Sequence, residues 1–226
     1  MLVHGAWHGA WCWEALASRL RARGHEVVAP DLPAQGDHPA AARDVTHEDV
    51  VDSIVSELDS ESILVGHSLG GYWIDVASAR APQRVAKLVH LATAVSKRGE
   101  LWVDTMGRCG MTLELPPPDL ALGAIPPPKD PVAAFYHLCP ADRAAAASAR
   151  LRPLPTRPLD AARAPERGFE GPRLAVLCRD DRAFSIEGAE RCAREAGVPS
   201  IIIDGDHSPF YSNVERLAEI LEGGDS

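Results

Sequence analysis

The stretch SILVGHSLGG, residues 62–71, decides the fold. It opens with an apolar run, Ser62 to Val65, that is typical of a buried strand, and it ends in glycines and the start of a helical pattern. Between the two, the pattern G-x-S-x-G puts Ser68 where a strand turns sharply into a helix. Glycines on either side permit that turn, which lifts the serine hydroxyl clear of its own backbone. The stretch therefore predicts a nucleophilic Ser68, with an ordinary serine helix cap as the alternative.

Further apolar runs predict strands, and amphipathic segments between them predict helices. The six predicted strands are Leu2 to His4, Glu26 to Ala29, Ser62 to Val65, Val85 to Leu91, Arg173 to Cys178 and Ser200 to Ile203. The predicted helices are Ala10 to Arg23, Glu48 to Leu58, Leu69 to Arg80, Ile186 to Ala196 and Val214 to Leu221. Because the apolar runs are continuous and alternate with helices, they indicate the α/β class, with a mostly parallel sheet of about six strands and helices on both faces.

Residues 96–170 interrupt this alternation. They hold 12 of the 19 prolines, together with large apolar side chains such as Trp102 and Phe135. Proline at that density prevents long helices, whereas the apolar side chains would not remain in a solvated linker. We therefore predict a small proline-rich cap insertion over the carboxyl edge of the sheet, with residues 1–95 and 171–226 as the core. A disordered linker between two domains is the alternative.

A serine hydroxyl needs a base within hydrogen-bond reach, and the chain has nine histidines. His207 follows the last predicted strand through a short turn, which puts it at the carboxyl edge, where open α/β sheets carry their chemistry. We predict that His207 is the base. A carboxylate must orient it, and Asp180 and Asp181 both leave the preceding strand at the same edge, so either could do so. Asp204 and Asp206 share the histidine's own turn and are better explained as turn formers.

The tetrapeptide His-Gly-Ala-Trp occurs twice in succession, in residues 4–11. A tetrahedral intermediate needs two backbone N–H donors for its oxyanion, and the N–H of Leu69, directly after the nucleophile, is one candidate. The loop after the first strand supplies the other, the N–H of Ala6, beside a Gly5 that allows close backbone approach. The repeat sets up no period and looks like a coincidence of composition. Two imidazoles without a third ligand predict no metal site, and we expect no cofactor.

Charge and composition limit the classes of binding partner that are expected. The net charge of −9 leaves no basic surface for nucleic acid or anionic membranes, so a small-molecule substrate is expected. Five cysteines without a C-x-x-C pair argue against a disulfide framework, and no signal peptide or membrane-spanning run is found. We expect a soluble, cytoplasmic protein whose oligomeric state stays open, a homodimer included. The chain also starts within its first predicted strand, so the sheet is trimmed at that edge or the start is incomplete.

Jointly these motifs resemble the α/β-hydrolase fold, and within it the branch of plant methylesterases, hydroxynitrile lyases and their bacterial relatives. The resemblance rests on VHGAWHGAWCW (3–13), GHEVVAPDLPAQG (24–36), VGHSLGG (65–71), RDDRAF (179–184) and DGDHSPF (204–210). Matched backwards from Phe184, it implies that the acid is Asp181. It also implies a cap whose apolar side chains shape a substrate pocket. Candidate lining residues are Trp7, Trp102 and Phe135, which simple core packing would explain as well.

Two positions bear on the chemistry that the resemblance implies. The lyases of this branch carry Thr where Gly5 stands, and where Ser208 stands they carry a Lys whose charge holds the developing cyanide. We therefore expect a cofactor-independent serine hydrolase that cleaves a small ester, thioester or lactone through an acyl-enzyme. The alternative is a lyase, cyclase or other biosynthetic tailoring enzyme that uses the same pocket with His207 as general acid and base. A ligand-binding receptor without turnover is a third class, which an intact triad disfavours.

Overall fold

The chain folds as alternating strands and helices, and the computed structural model describes residues 1–59 and 61–224. The strands are β1 (Leu2–Val3), β2 (Ser62–His67), β3 (Val85–Leu91), β4 (Ala124–Ile125), β5 (Leu154–Pro155), β6 (Arg173–Cys178) and β7 (Ser200–Ile203). The α-helices are α1 (Glu14–Ala22), α2 (His47–Ser56), α3 (Leu69–Arg80), α4 (Trp102–Arg108), α5 (Pro131–Phe135), α6 (Ala141–Arg150), α7 (Ile186–Glu195), α8 (Pro209–Ser212) and α9 (Val214–Leu221). Short 3-10 helices cover Ala10–Trp13, Ala42–Asp44, Pro82–Arg84 and Arg157–Leu159.

Within the described residues, five strands form one parallel sheet in the order β1-β2-β3-β6-β7. At its centre, Gly66 of β2 pairs with Val3 of β1 on one side and with His90 of β3 on the other. Because all neighbours run in the same direction, the carboxyl ends of the strands meet at a single edge. The loops that follow β1, β2, β6 and β7 therefore come together there.

Helices cover both faces of this sheet and enclose its apolar side chains. The helix α1 packs against α9, α2 packs against α3, and α3 also lies against β1, β2 and β3. Leu64, Leu88 and Leu177, from three adjacent strands, are at most 1 % exposed. Burial of each such side chain stabilises the fold by about 1.5–3 kcal/mol, so this core holds the strand ends in register.

The predicted strand Glu26 to Ala29 is wrong, because residues 26–29 form no strand. They lie beside β1, and the Leu2 N–H donates a hydrogen bond of 2.8 Å to the Val28 carbonyl. Since β1 is only two residues long, it offers this segment few backbone groups for strand pairing, and the main sheet has five strands among residues 1–59 and 61–224. The first predicted helix also begins differently, as the 3-10 helix Ala10–Trp13 that leads into α1.

The proline-rich residues 96–170 contain short helices and a small second sheet. They include α4, α5 and α6, and β4 pairs antiparallel with β5 through Ala124 and Pro155. A single-residue bridge joins Met111 of this segment to Phe184, which follows β6. The segment therefore contacts the loops at the carboxyl edge of the main sheet.

No helix in residues 1–59 and 61–224 is both long and apolar enough to span a membrane. All five cysteines are free thiols, and four of them are buried.

Candidate active site

Ser68 lies between β2 and α3 in a strained backbone conformation. Its φ of 51° and ψ of −123° belong to a region that residues with a side chain rarely adopt, and its hydroxyl makes no helix-capping hydrogen bond. The Ser68 N–H donates to the Leu91 carbonyl at 3.0 Å, and the Thr93 hydroxyl donates to the Ser68 carbonyl at 2.6 Å. A Cβ on Gly66 would lie 2.4 Å from the Gly70 carbonyl oxygen, so this turn closes only with glycine there. Strain that is held this firmly is typical of functional sites.

The His207 ring is oriented by Asp181. Its Nδ1 lies 2.9 Å from Oδ2 and 3.0 Å from Oδ1 of that carboxylate, and the two side chains are 3 % and 5 % exposed. The Asp181 Oδ1 also accepts hydrogen bonds from the N–H groups of Ala183 at 2.7 Å and Phe184 at 3.2 Å. Because an ionised carboxylate only accepts, Nδ1 carries the ring proton and Nε2 is left as the basic nitrogen.

In the described part of the chain, no hydrogen bond or ion pair joins the other three candidate carboxylates to this ring. Asp180 and Asp204 are exposed, and Asp204 pairs with an arginine at the surface. Asp206 is fully buried and accepts a hydrogen bond within its own turn and another, of 2.8 Å, from the Leu138 N–H. Of the two adjacent candidates, Asp181 contacts the His207 ring and Asp180 is exposed to solvent.

The loop after β1 packs directly against the serine. A Cβ on Gly5 would lie 2.9 Å from the Cβ of Ser68, so the absence of a side chain lets the loop backbone approach this serine. Ala6 and Leu69 line the same cavity as Ser68. Within the described residues, neither of their backbone N–H groups donates a hydrogen bond. Both N–H groups are therefore available to a negatively charged oxygen.

Ala6, Ser68, Leu69 and His207 all line one apolar cavity of about 130 Å³. Its apolar lining includes Trp7, Trp102, Met106, Phe135, Leu159 and Phe184, three of which were predicted. No charged residue is found among its described lining residues. Ser68 and His207 both line the cavity, and no hydrogen bond links the serine hydroxyl to the ring in the part of the chain that is described.

Three more histidines surround the site, and the sequence predicted no role for them. The Nε2 of His67 donates a 2.7 Å hydrogen bond to the His207 carbonyl, so it helps to hold the backbone of His207 in place. His4 and His8 donate to carbonyls of the loop after β1. Burial lowers the pKa of His4 to about 4 and that of His8 to about 3, and it lowers the pKa of His67 well below the ordinary value. The available signal was the four-residue repeat, which was interpreted as coincidence.

The family follows from comparison along nearly the whole chain. The Alpha/beta hydrolase family matches residues 1–220. The chain belongs to the alpha/beta hydrolase family. Methylesterase 18 of Arabidopsis thaliana is 29 % identical to this hydrolase over 249 residues, covering 98 % of the chain and 94 % of the relative. Norfluorocurarine synthase 1 of Strychnos nux-vomica is 27 % identical over 251 residues, covering 98 % and 93 %. A probable esterase of rice, Oryza sativa, is 38 % identical over 120 residues, which span 50 % of this chain and 43 % of the rice protein.

Solved structures agree with this assignment. A methylesterase from Arabidopsis superposes on this alpha/beta hydrolase with a TM-score of 0.82 at 25 % identity, covering 98 % of this chain and 97 % of the other. A pyrethroid hydrolase from Sphingobium faniae JZ-2 gives 0.83 at 26 % identity, covering 98 % and 94 %. The predicted fold class and family resemblance are confirmed, and these relatives place the chain among the esterase-type members of the family.

Proposed function

We propose that this alpha/beta hydrolase cleaves a small carboxylic ester, thioester or lactone through an acyl-enzyme on Ser68. The observation that carries the proposal is the position of Ser68, which is held at a strained turn and shares one cavity with His207, whose ring is hydrogen-bonded to Asp181. A hydroxyl, an imidazole and a carboxylate in this order are the parts of a serine hydrolase triad.

The proposed reaction uses each group in turn. The Nε2 of His207 takes the proton of Ser68 as Oγ attacks the substrate carbonyl carbon, and Asp181 stabilises the imidazolium that forms. The same Nε2 then donates its proton to the leaving oxygen or sulfur. Water repeats the sequence and releases the acid. Contacts between nucleophile and base often tighten only with substrate bound, so we expect the hydrogen bond between Ser68 and His207 to form in the complex.

The oxyanion site is proposed at the N–H groups of Ala6 and Leu69. Both line the cavity beside Ser68, and neither is used by another described residue. A donor aimed at the developing oxyanion lowers the barrier by about 3 kcal/mol, because it acts in a site with little water.

The cavity supports an uncharged, apolar substrate. Its described lining offers apolar side chains, together with His8 and His67, whose pKa values burial lowers, but no lysine or arginine to pair with a free carboxylate. Burying an unpaired charge there would be costly, so esters of neutral, apolar acids fit best. Residues 96–170 supply much of this lining, including Trp102 and Phe135, and we propose that they act as a cap that sets specificity. The names of two relatives, a methylesterase and a pyrethroid hydrolase, are compatible with this substrate class.

Labelling with a fluorophosphonate tests the nucleophile. We expect one covalent adduct per chain, which peptide mapping locates at Ser68, and none in the Ser68→Ala variant. Ser185→Ala is the matched control, because Ser185 also directly precedes a helix but is half-buried and does not line the cavity, so this variant should label like the native protein. Folded native protein that acquires no adduct would contradict the proposal.

A panel of substrates tests the class. Neutral methyl, ethyl and aryl esters of increasing acyl length should be hydrolysed in preference to esters that carry a second, free carboxylate. Comparing kcat/KM for esters, thioesters and lactones of the same acids shows which of the three leaving groups the enzyme prefers. Equal kcat/KM for charged and neutral acids of one size would contradict the argument from the uncharged lining.

A lyase, cyclase or other biosynthetic enzyme is the second candidate, because one relative covering nearly the whole chain is a synthase. In that case His207 would act mainly as general acid and base. The Ser68→Ala variant separates the two candidates. Loss of turnover by several orders of magnitude favours the acyl-enzyme, whereas retained turnover on the same substrate favours proton-transfer chemistry.

The location of the protein is also proposed. Five free thiols, four of them buried, are compatible with a reducing compartment and hence with the cytoplasm. Fractionation of the producing cells tests this, and recovery outside the cytoplasm would contradict it.

A further inference from the structure

The first histidine of the repeat holds the peptide unit that carries the Ala6 N–H. His4 donates from Nδ1 to the Gly5 carbonyl at 2.9 Å, and its Nε2 accepts from the Leu32 N–H at 3.0 Å. The Gly5 carbonyl and the Ala6 N–H belong to one planar peptide and point in opposite directions. A bond that fixes that carbonyl therefore fixes the direction of the N–H. It also polarises the peptide, which strengthens the N–H as a donor.

The second histidine of the repeat holds the next peptide unit. His8 donates from Nδ1 to the Ala6 carbonyl at 2.7 Å, and its Nε2 accepts a 2.7 Å hydrogen bond from the Tyr136 hydroxyl. Tyr136 directly follows α5 and is 1 % exposed. Both ring nitrogens of His8 are thus hydrogen-bonded, Nδ1 to the loop after β1 and Nε2 to Tyr136 of residues 96–170.

The loop needs such restraints because its backbone is strained. Trp7 has a φ of 63°, a conformation that a large side chain rarely adopts. Its own carbonyl accepts from the Arg152 N–H at 2.9 Å, and its Nε1 donates to the Ile125 carbonyl at 3.0 Å. Strained residues persist only where their surroundings over-determine them, and the bond from His8 acts on the peptide that leads into Trp7.

We propose that His4 and His8 are positioning residues that hold the Ala6 N–H toward the oxyanion, and that His8 ties this geometry to residues 96–170 through Tyr136. The two copies of the tetrapeptide thus place one imidazole on each peptide that flanks the Ala6 Cα. The inference rests on the proposed function for its catalytic meaning, although the restraint on the loop can be tested without turnover.

The kinetic test compares His8→Phe, which keeps a ring but loses both hydrogen bonds, with His8→Asn, whose amide nitrogen can replace the Nδ1 donor. We expect kcat of His8→Phe to fall by about 10- to 100-fold with KM within about twofold, because an oxyanion donor acts in the transition state. His8→Asn should recover most of the lost kcat. The kcat of Tyr136→Phe should lie between those of His8→Phe and His8→Asn. The matched control is His90→Phe, since His90 is also fully buried and hydrogen-bonded, at 3.0 Å to Asp75. It should lower the melting temperature and leave kcat unchanged.

A transition-state mimic provides a readout that a merely structural role would not change. An apolar trifluoromethyl ketone adds to the Ser68 Oγ and presents its oxygen to the oxyanion donors, as the proton passes to His207. Its Ki should rise across the variants in proportion to the loss of kcat/KM. The proposal is overturned if folded His8→Phe keeps native kcat, if His8→Asn is no better than His8→Phe, or if the Ki stays constant while kcat falls.

Crystal structures of the two variants test the restraint independently of turnover. In His8→Phe the peptide between Ala6 and Trp7 should rotate and Trp7 should move to a negative φ, whereas His8→Asn should keep the native loop. An unchanged loop in His8→Phe would overturn the positioning role even if the native enzyme hydrolyses esters. Native protein without Ser68-dependent hydrolysis would instead contradict the proposed function, and the loop geometry would still decide the restraint.

Discussion

Replacing Ser68 by glycine is expected to stabilise the fold while it removes the proposed nucleophile. At φ 51° and ψ −123°, a residue with a Cβ is held at a cost of about 1–3 kcal/mol, which glycine avoids. Glycine also gives the unfolded chain more freedom, which costs about 0.5–1 kcal/mol. The balance is a gain of about 1 kcal/mol in the free energy of unfolding. For a domain of this length, that gain raises the melting temperature by about 2–4 °C.

The Ser68→Ala variant is the matched control, because alanine removes Oγ but keeps the Cβ and therefore the strain. Within the described residues the Ser68 hydroxyl makes no hydrogen bond to protein, so its loss alone changes stability little. Calorimetry and urea titration of the native protein and both variants give the free energies of unfolding. We expect glycine above alanine by about 1 kcal/mol, with ester hydrolysis lost in both.

A folded Ser68→Gly variant that is no more stable than Ser68→Ala would refute the argument from strain. Retained hydrolysis in either variant would refute the role of the serine itself. The two results are independent, because the free energy of unfolding reports the strain of the turn and ester hydrolysis reports the role of the serine hydroxyl.

The remaining predictions concern the base, the turn and acid stability. Asp181→Asn should lower kcat by about 10⁴-fold with little change in KM, because the ring loses its orientation, and steady-state kinetics showing less than a tenfold loss would contradict this. Gly66→Ala places a Cβ 2.4 Å from the Gly70 carbonyl oxygen and should destabilise the protein by about 1–3 kcal/mol in urea titration, with loss of fluorophosphonate labelling. His4 and His8 have folded-state pKa values of about 4 and about 3, below the ordinary 6.5, so the unfolded chain binds protons that the folded chain does not. The contribution of these two histidines to the free energy of unfolding is fully present above pH 6.5 and falls by about 2 kcal/mol per histidine by pH 5. A urea midpoint that stays constant from pH 7 to pH 5 would contradict this prediction.

Local patterns in the sequence were sufficient to predict the parallel sheet and the turn that carries Ser68. The continuous apolar runs and the G-x-S-x-G turn predicted the parallel sheet and the conformation at Ser68, because both depend on residues close together in the chain. The one strand that failed, residues 26–29, depended instead on a neighbour. Its apolar pattern is compatible with a strand, but pairing requires a partner, and β1 is two residues long. A strand exists only as part of a ladder, so its own residues do not determine it.

The sequence by itself determined which chemical groups reach the carboxyl edge of the sheet, since each follows a recognisable strand. Only the tertiary structure decided which of them touch. Asp180 and Asp181 are adjacent in the chain and equivalent by pattern, yet one contacts His207 and the other faces solvent. Tyr136 meets His8 across 128 residues of chain. A hydrogen bond is lost when its donor and acceptor move apart by more than a few tenths of an ångström. The packing of distant segments sets these donor–acceptor distances.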